Sequence, residues 1–221
     1  MRTSYHEELQ GILDRLVQMA DLAETAMRDA SEALLTADLT KAESVITNDA
    51  QLDAMHEEME YKCLSLLALQ APVAGELRTI VSAIRVVFEL ARMGDLAAHV
   101  AKIARLRYPA HAVPEQFEPG FREMAEIAVK LVDVARLSLE NRDAEGAHEL
   151  AAIDARMDDL RRDQFTDLFK DGTDISTEGA VDVALLGRYF ERYADHAVAV
   201  GRRVIYIITG ETPAGDDWPN A

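Results

Sequence analysis

Six carboxylates are spaced as ligands would be, and a seventh, Asp95, stands alone. Asp49 and Asp53, Asp154 and Asp158, and Glu191 and Asp195 each stand four residues apart. In a helix that spacing stacks two side chains one turn apart on one face. Asp95 lacks such a partner, because the preceding turn carries Ala91. Two carboxylates about 6 Å apart repel by roughly 3 kcal/mol at an effective dielectric of 20, so several in one groove call for a cation. All-oxygen donors favour hard ions such as Mg²⁺, Mn²⁺, Ca²⁺ or Fe³⁺ over Zn²⁺, which prefers His and Cys. Salt bridging fits the same pattern: Arg161 and Arg162 lie three and four residues beyond Asp158, and Arg192 and Arg202 are near the other pair. Spacing leaves both readings open.

Elements must place these acids inward. On the segment carrying Glu191 and Asp195, the stripe of Ala180, Ala184, Ala194, Val198 and Ile205 contains both. Val45, Leu52, Met59, Cys63 and Leu66 share a face with Asp49 and His56, with Asp53 at its edge, while Ala147, Ala151, Phe165 and Leu168 bracket Asp154 and Asp158. His56 is a further candidate ligand. His196 projects away from Glu191 and Asp195. Glu145 and His148 form one Glu-x-x-His off the stripe with no second copy, so a ferritin-like di-iron oxidase, which needs two, is disfavoured.

Helical period accounts for nearly the whole chain. Ser4 and Glu7 have capping-box spacing ahead of a helix reaching about residue 36. Further helices are expected at about 38–69, 76–108, 121–141, 144–170 and 177–209, punctuated by "QAPVAG" and "PAHAVPEQFEPG". Shifting by 105 residues lays Met19 on Met124, Ala23 on Ala128, Leu34 on Leu139, Asp38 on Asp143, Asp49 on Asp154 and Asp53 on Asp158. Such a repeat marks a duplicated three-helix unit. The expected class is therefore all-α, two tandem antiparallel three-helix bundles at 1–112 and 113–209, with 210–221 as a flexible tail.

A net charge of −17 argues against nucleic acid and anionic lipid, both bound through clustered Lys and Arg. The longest charge-free run, 13 residues from Cys63 to Gly75, is too short to span a bilayer. A single cysteine permits no intrachain disulfide, and with no apolar signal core the expected location is cytoplasmic.

"LLALQAPVAGELRTIVSAIRVV" (66–87) and "LLGRYFERYADHAVAVGRRVI" (185–205) resemble the two signature stretches of the PhoU family, accessory regulators of bacterial phosphate-specific transport. The start "YHEELQGILDRLVQMADLAETAM" is similar too. The resemblance implies two three-helix bundles, each able to carry a multinuclear metal cluster (Fe, Mn or Mg), and no catalytic activity. Carried over by position, the second cluster uses Asp154, Asp158, Glu191 and Asp195. The first uses Asp49, Asp53 and Asp95, but Ala91 stands where the family pattern has an acid, and Glu89 points roughly opposite Asp95. The implied partners are the phosphate transporter's ATPase subunit and a phosphate-sensing histidine kinase, the implied role is negative control of the phosphate-starvation response, and a homodimer is the expected assembly. Lys102, Arg105 and Arg107, with Arg202 and Arg203, form a candidate docking patch, although cations there also complement helix dipoles. A metal-dependent hydrolase or oxidase lacks a recognisable nucleophile–base pair or phosphate-cradling loop. A purely structural helical oligomer is the third reading.

Overall fold

The computed structural model describes residues 2–70 and 72–213, and side chains at 6–69 and 72–213. Six long helices follow in order: α1 (Arg2–Thr36), α2 (Leu39–Gln70), α3 (Gly75–Arg107), α4 (Glu118–Asn141), α5 (Ala144–Leu168) and α6 (Thr177–Thr209). A 3₁₀ turn, Glu115–Phe117, leads into α4 and starts it three residues earlier than the apolar period indicates. Pro119 fits that early start, since the first helical turn needs no N–H from it. Helix α1 likewise begins at Arg2, ahead of the expected cap, and the Ser4 side chain lies outside the described residues. So do residues 214–221 of the expected tail.

The duplication is written into the backbone. Ala37 and Arg142, 105 residues apart, take left-handed φ of 52° and 54°. The next residues then bond back: Asp38 N–H donates to Ala33 O at 3.1 Å and Asp143 N–H to Ser138 O at 2.9 Å. This is a helix stop in which a left-handed residue lets the chain turn and satisfy an orphan carbonyl. The same aspartates then cap the following helices. Asp38 Oδ1 accepts from Lys41 N–H at 3.0 Å, and Asp143 Oδ1 from the N–H groups of Glu145 and Gly146 at 3.0 and 3.1 Å.

Helices α1–α3 form one antiparallel bundle and α4–α6 another. They share a core: α1 packs on α4 and α3 on α6, with α2 and α5 on the flanks. Ile12, Leu16, Met19, Met93, Phe121, Phe190 and Tyr193 are fully buried in one continuous apolar cluster. Polar contacts pin the α3–α6 seam along its length. Arg107 Nε and Nη2 donate to Asp182 at 2.5 and 3.0 Å, Glu89 and His196 Nδ1 meet at 2.6 Å, and Arg78 Nη2 donates to Ile207 O at 3.1 Å. Tyr193 Oη donates to Ala23 O at 2.9 Å, tying α6 to α1. None of these ties was legible from spacing, because each joins residues more than 70 positions apart.

The antiparallel α3–α6 pair also corrects the docking patch. Arg107, ending α3, lies at the start of α6 against Asp182 and Glu178. Arg203 lies at the other end of that seam, where its guanidinium, its pKa lowered chiefly by burial, feels Arg85 and Arg202. The two groups of cations belong to opposite ends of the seam, so they make no single patch.

Candidate functional site

Close helix approach builds the second cluster. A Cβ on Gly201 of α6 would collide with Leu150 Cδ1 of α5, and one on Gly187 would collide with Gln164 Oε1 and lie 2.9 Å from Arg161 Nη1. These two mid-helix glycines let the antiparallel pair close up, a packing reason for residues that otherwise cost helix stability. They also fix register. Between them Asp154 and Asp158 stand opposite Asp195 and Glu191.

The four acids lie in one electrostatic field. Asp154 is only 2% exposed. Burial, then the charges of Asp158, Asp195 and Glu191, push its pKa up to about 7. Among the described residues no hydrogen bond or ion pair reaches its carboxyl. Burial also raises Asp158, with Glu191 adding to the effect and Arg162 relieving it. Asp195 is raised by burial and partly relieved by Arg192.

The inward row of α5 is rotated from the one expected. Ala147, Leu150, Asp154, Met157, Leu160 and Gln164 are buried, whereas Phe165 and Asp158 are exposed. Three large apolar side chains, Leu150, Met157 and Leu160, set the buried face. Asp158 therefore sits at the rim of the groove and Asp154 at its floor.

Arginines hold the outer members. Glu191 lies 2.7 Å from Arg188 Nη1 and 3.6 Å from Arg161 Nε, and Asp195 lies 3.2 Å from Arg192 Nη1. Arg162 turns instead to Asp159 at 2.6 Å. His196 is engaged by Glu89, as its direction on the helix predicts. Glu145 and His148 are exposed, away from both clusters.

The first cluster is weaker in each respect. Asp49 is half-buried and Asp53 exposed. Burial raises the Asp49 pKa, Asp95 and Asp53 add to that, and Lys102 and His99 oppose it. Asp95 is taken by Arg92 Nη1 at 2.6 Å. Gly94 admits α2: a Cβ there would lie 2.6 Å from Leu52 Cδ1 and 3.1 Å from Asp49 Oδ1. Behind Asp49 is a cavity of about 70 Å³ lined by Asp29, Val45, Asn48, Leu52 and Gly94. Ala91 is buried where the second repeat has Glu191, and His56 is half-buried with its ring 6.5 Å from that of Phe88.

All-carboxylate donors suit a hard cation, and the unpaired Asp154 is a buried oxygen donor in want of one. Of the four, Glu191 and Asp195 are held by arginine, and among the described residues no three His, Cys, Asp or Glu side chains are gathered to hold an ion.

Comparison with known proteins bears on the whole chain. The PhoU domain model matches residues 16–104 and again 121–204, one copy per bundle. The chain belongs to the PhoU family. It is 46% identical over 217 residues to the phosphate-specific transport system accessory protein PhoU homolog 1 of Mycobacterium tuberculosis, covering 98% of each chain. To PhoU homolog 2 of the same organism it is 48% identical over 213 residues, covering 96% of this chain and 100% of the other. The crystal structure of PhoU from Pseudomonas aeruginosa superposes with a TM-score of 0.86 at 27% identity, over 94% of this chain and all of that one. PhoU membership thus confirms the resemblance carried by the two signature stretches; the first runs from the end of α2 into α3 and the second lies on α6, and α3 and α6 form the central seam.

Proposed function

We propose that this chain is a negative regulator of the phosphate-starvation response that works by binding, as an adaptor between the ATPase subunit of a phosphate transporter and a phosphate-sensing histidine kinase. The observation that carries the reading is the similarity across both repeats and almost every residue to proteins named as accessory to phosphate-specific transport. Two further features support it. The duplicated scaffold presents one seam, α3 and α6, stapled at both ends by arginine, which suits a rigid platform for partners. Among the described residues no helix is long and apolar enough to cross a membrane, so contact with a transporter would be made through its exposed subunit. Cytoplasmic placement follows from the two partners, and a homodimer is the assembly we expect, which sedimentation velocity checks.

A hard metal ion at the second cluster belongs to the same proposal. Asp154, Asp158, Glu191 and Asp195 would hold it, and it would supply positive charge that neutralises four crowded acids and ties α5 to α6. Asp154 supplies the buried oxygen at the floor, Asp158 and Asp195 close the groove, and Glu191 marks the end nearest Arg161.

Removal of the gene, together with any second PhoU-family gene in the strain, tests the regulatory reading. Phosphate-responsive transcription should stay on in phosphate-replete medium while phosphate uptake continues. Normal repression in that strain would discard the reading, and failure of the protein to co-purify with both the ATPase subunit and the kinase would discard the adaptor role.

A further inference from the structure

The second cluster contains a cation of its own. Arg161 is 11% exposed, and its guanidinium is seated on three sides. Its carbon lies 3.9 Å from the centre of the Phe165 ring, its Nη1 donates to Gln164 Oε1 at 2.7 Å, and the bare Cα of Gly187 leaves the notch that both head groups fill. Gly187 lies one turn before Glu191 on α6, so the notch aims the guanidinium at that carboxylate. Arg161 Nε, buried and without a hydrogen-bond partner, stops 3.6 Å from Glu191 Oε2. At the other end of the same groove Asp154 is buried and unpaired.

We propose that Arg161 is the resident counter-ion of the second carboxylate cluster, seated by Gly187 at the Glu191 end, so that a metal ion enters this cluster only in competition with it. The inference rests on the reading of the cluster as cation-binding and names the residue of this chain that sets its affinity. Two comparisons single out Arg161. Arg188 also meets Glu191, but its side chain is 52% exposed, and a solvated pair of that kind contributes little. Arg161 cannot withdraw into water without emptying its notch, and a buried guanidinium needs an acid near it. In the first repeat the position 105 residues earlier is His56, beside Phe88 and without a glycine notch, so no permanent charge is seated there.

Metal-stripped full-length protein and its Arg161→Met and Arg161→Lys variants are titrated with Mn²⁺ by calorimetry, and their melting is followed with EDTA and with Mn²⁺. Removing one nearby unit charge should tighten Mn²⁺ binding about tenfold or more in Arg161→Met. That variant should melt below the wild type in EDTA and recover with Mn²⁺, whereas Arg161→Lys should stay close to wild type in both. Adding Glu191→Gln to Arg161→Met should abolish the gain. Equal Mn²⁺ affinity in wild type and Arg161→Met overturns the proposal alone, and a melting loss that Mn²⁺ does not restore assigns Arg161 to packing and overturns it likewise. If neither protein binds Mn²⁺, the metal reading of the cluster falls and this proposal falls with it.

Discussion

The two repeats carry the same Asp-x-x-x-Asp on α2 and α5, begin those helices with the same aspartate cap, and enter them through a left-handed residue at the equivalent position, yet their clusters differ in burial and in charge. On α5 the first aspartate is buried and feels the charges of three other acids, and its pKa rises to about 7. On α2 its counterpart is half-open, faces one acid fewer, and is relieved by Lys102 and His99. Backbone symmetry and electrostatic symmetry are thus separable after duplication. A helix stop depends on one residue's dihedral angles and survives many substitutions around it, whereas a field is a sum over every charge nearby and changes with each one.

The largest effect that would break this contrast lies at Asp154. Its folded pKa of about 7 exceeds the ordinary value of 3.8, so the folded state takes up a proton more readily than the unfolded chain. The resulting stabilisation is complete below about pH 4 and is lost as pH rises through 7. Metal-free protein should therefore melt at progressively lower temperature from pH 5 to pH 8. Asp154→Asn should remove most of that slope and leave the protein on the order of 2–4 kcal/mol more stable at pH 8. An unchanged slope in the variant would place the titrating group elsewhere. Asp49→Asn, in the shallower cluster, should change the slope by clearly less.

Next in size is the missing acid. Ala91→Glu gives the first repeat its fourth carboxylate, and metal content by elemental analysis should rise with an added binding event roughly tenfold tighter than any weak binding there before. Two sites of equal affinity in the native chain would contradict the asymmetry outright. The smallest expected change is at Lys102, an exposed residue that favours the charged form of Asp49. Lys102→Gln should raise the Asp49 pKa, read by NMR titration, with a stability change below about 1 kcal/mol because the charge is solvated.

The helices themselves were legible because each buries one stripe over some 25 to 35 residues, and a period repeated that often outweighs local exceptions. The position of α6 was read directly, at 177–209; its cap at Ser176, its left-handed stop at Gly210 and the capping roles of Asp38 and Asp143 emerged only with the structure. The inward row of α5 was misjudged by about a sixth of a turn, since Phe165 matched the apolar period while packing at three large apolar residues, Leu150, Met157 and Leu160, chose the face. Mid-helix glycines at 94, 187 and 201 were visible signals of close approach that spacing arguments about acids passed over. What each admits depends on the neighbouring helix.

Composition, period and the 105-residue repeat by themselves determined an all-α chain built twice, and the signature stretches determined its family. Local dihedral preferences and apolar burial act within a helix or between neighbours in sequence, so they leave a mark in one dimension. Tertiary structure alone decided that α3 lies antiparallel to α6, that Arg107 is spent on Asp182 rather than offered to a partner, and that Arg161 reaches Glu191 rather than Asp158. Such contacts are set by register between helices distant in sequence, where a side chain's charge finds its partner only after packing has fixed which faces meet.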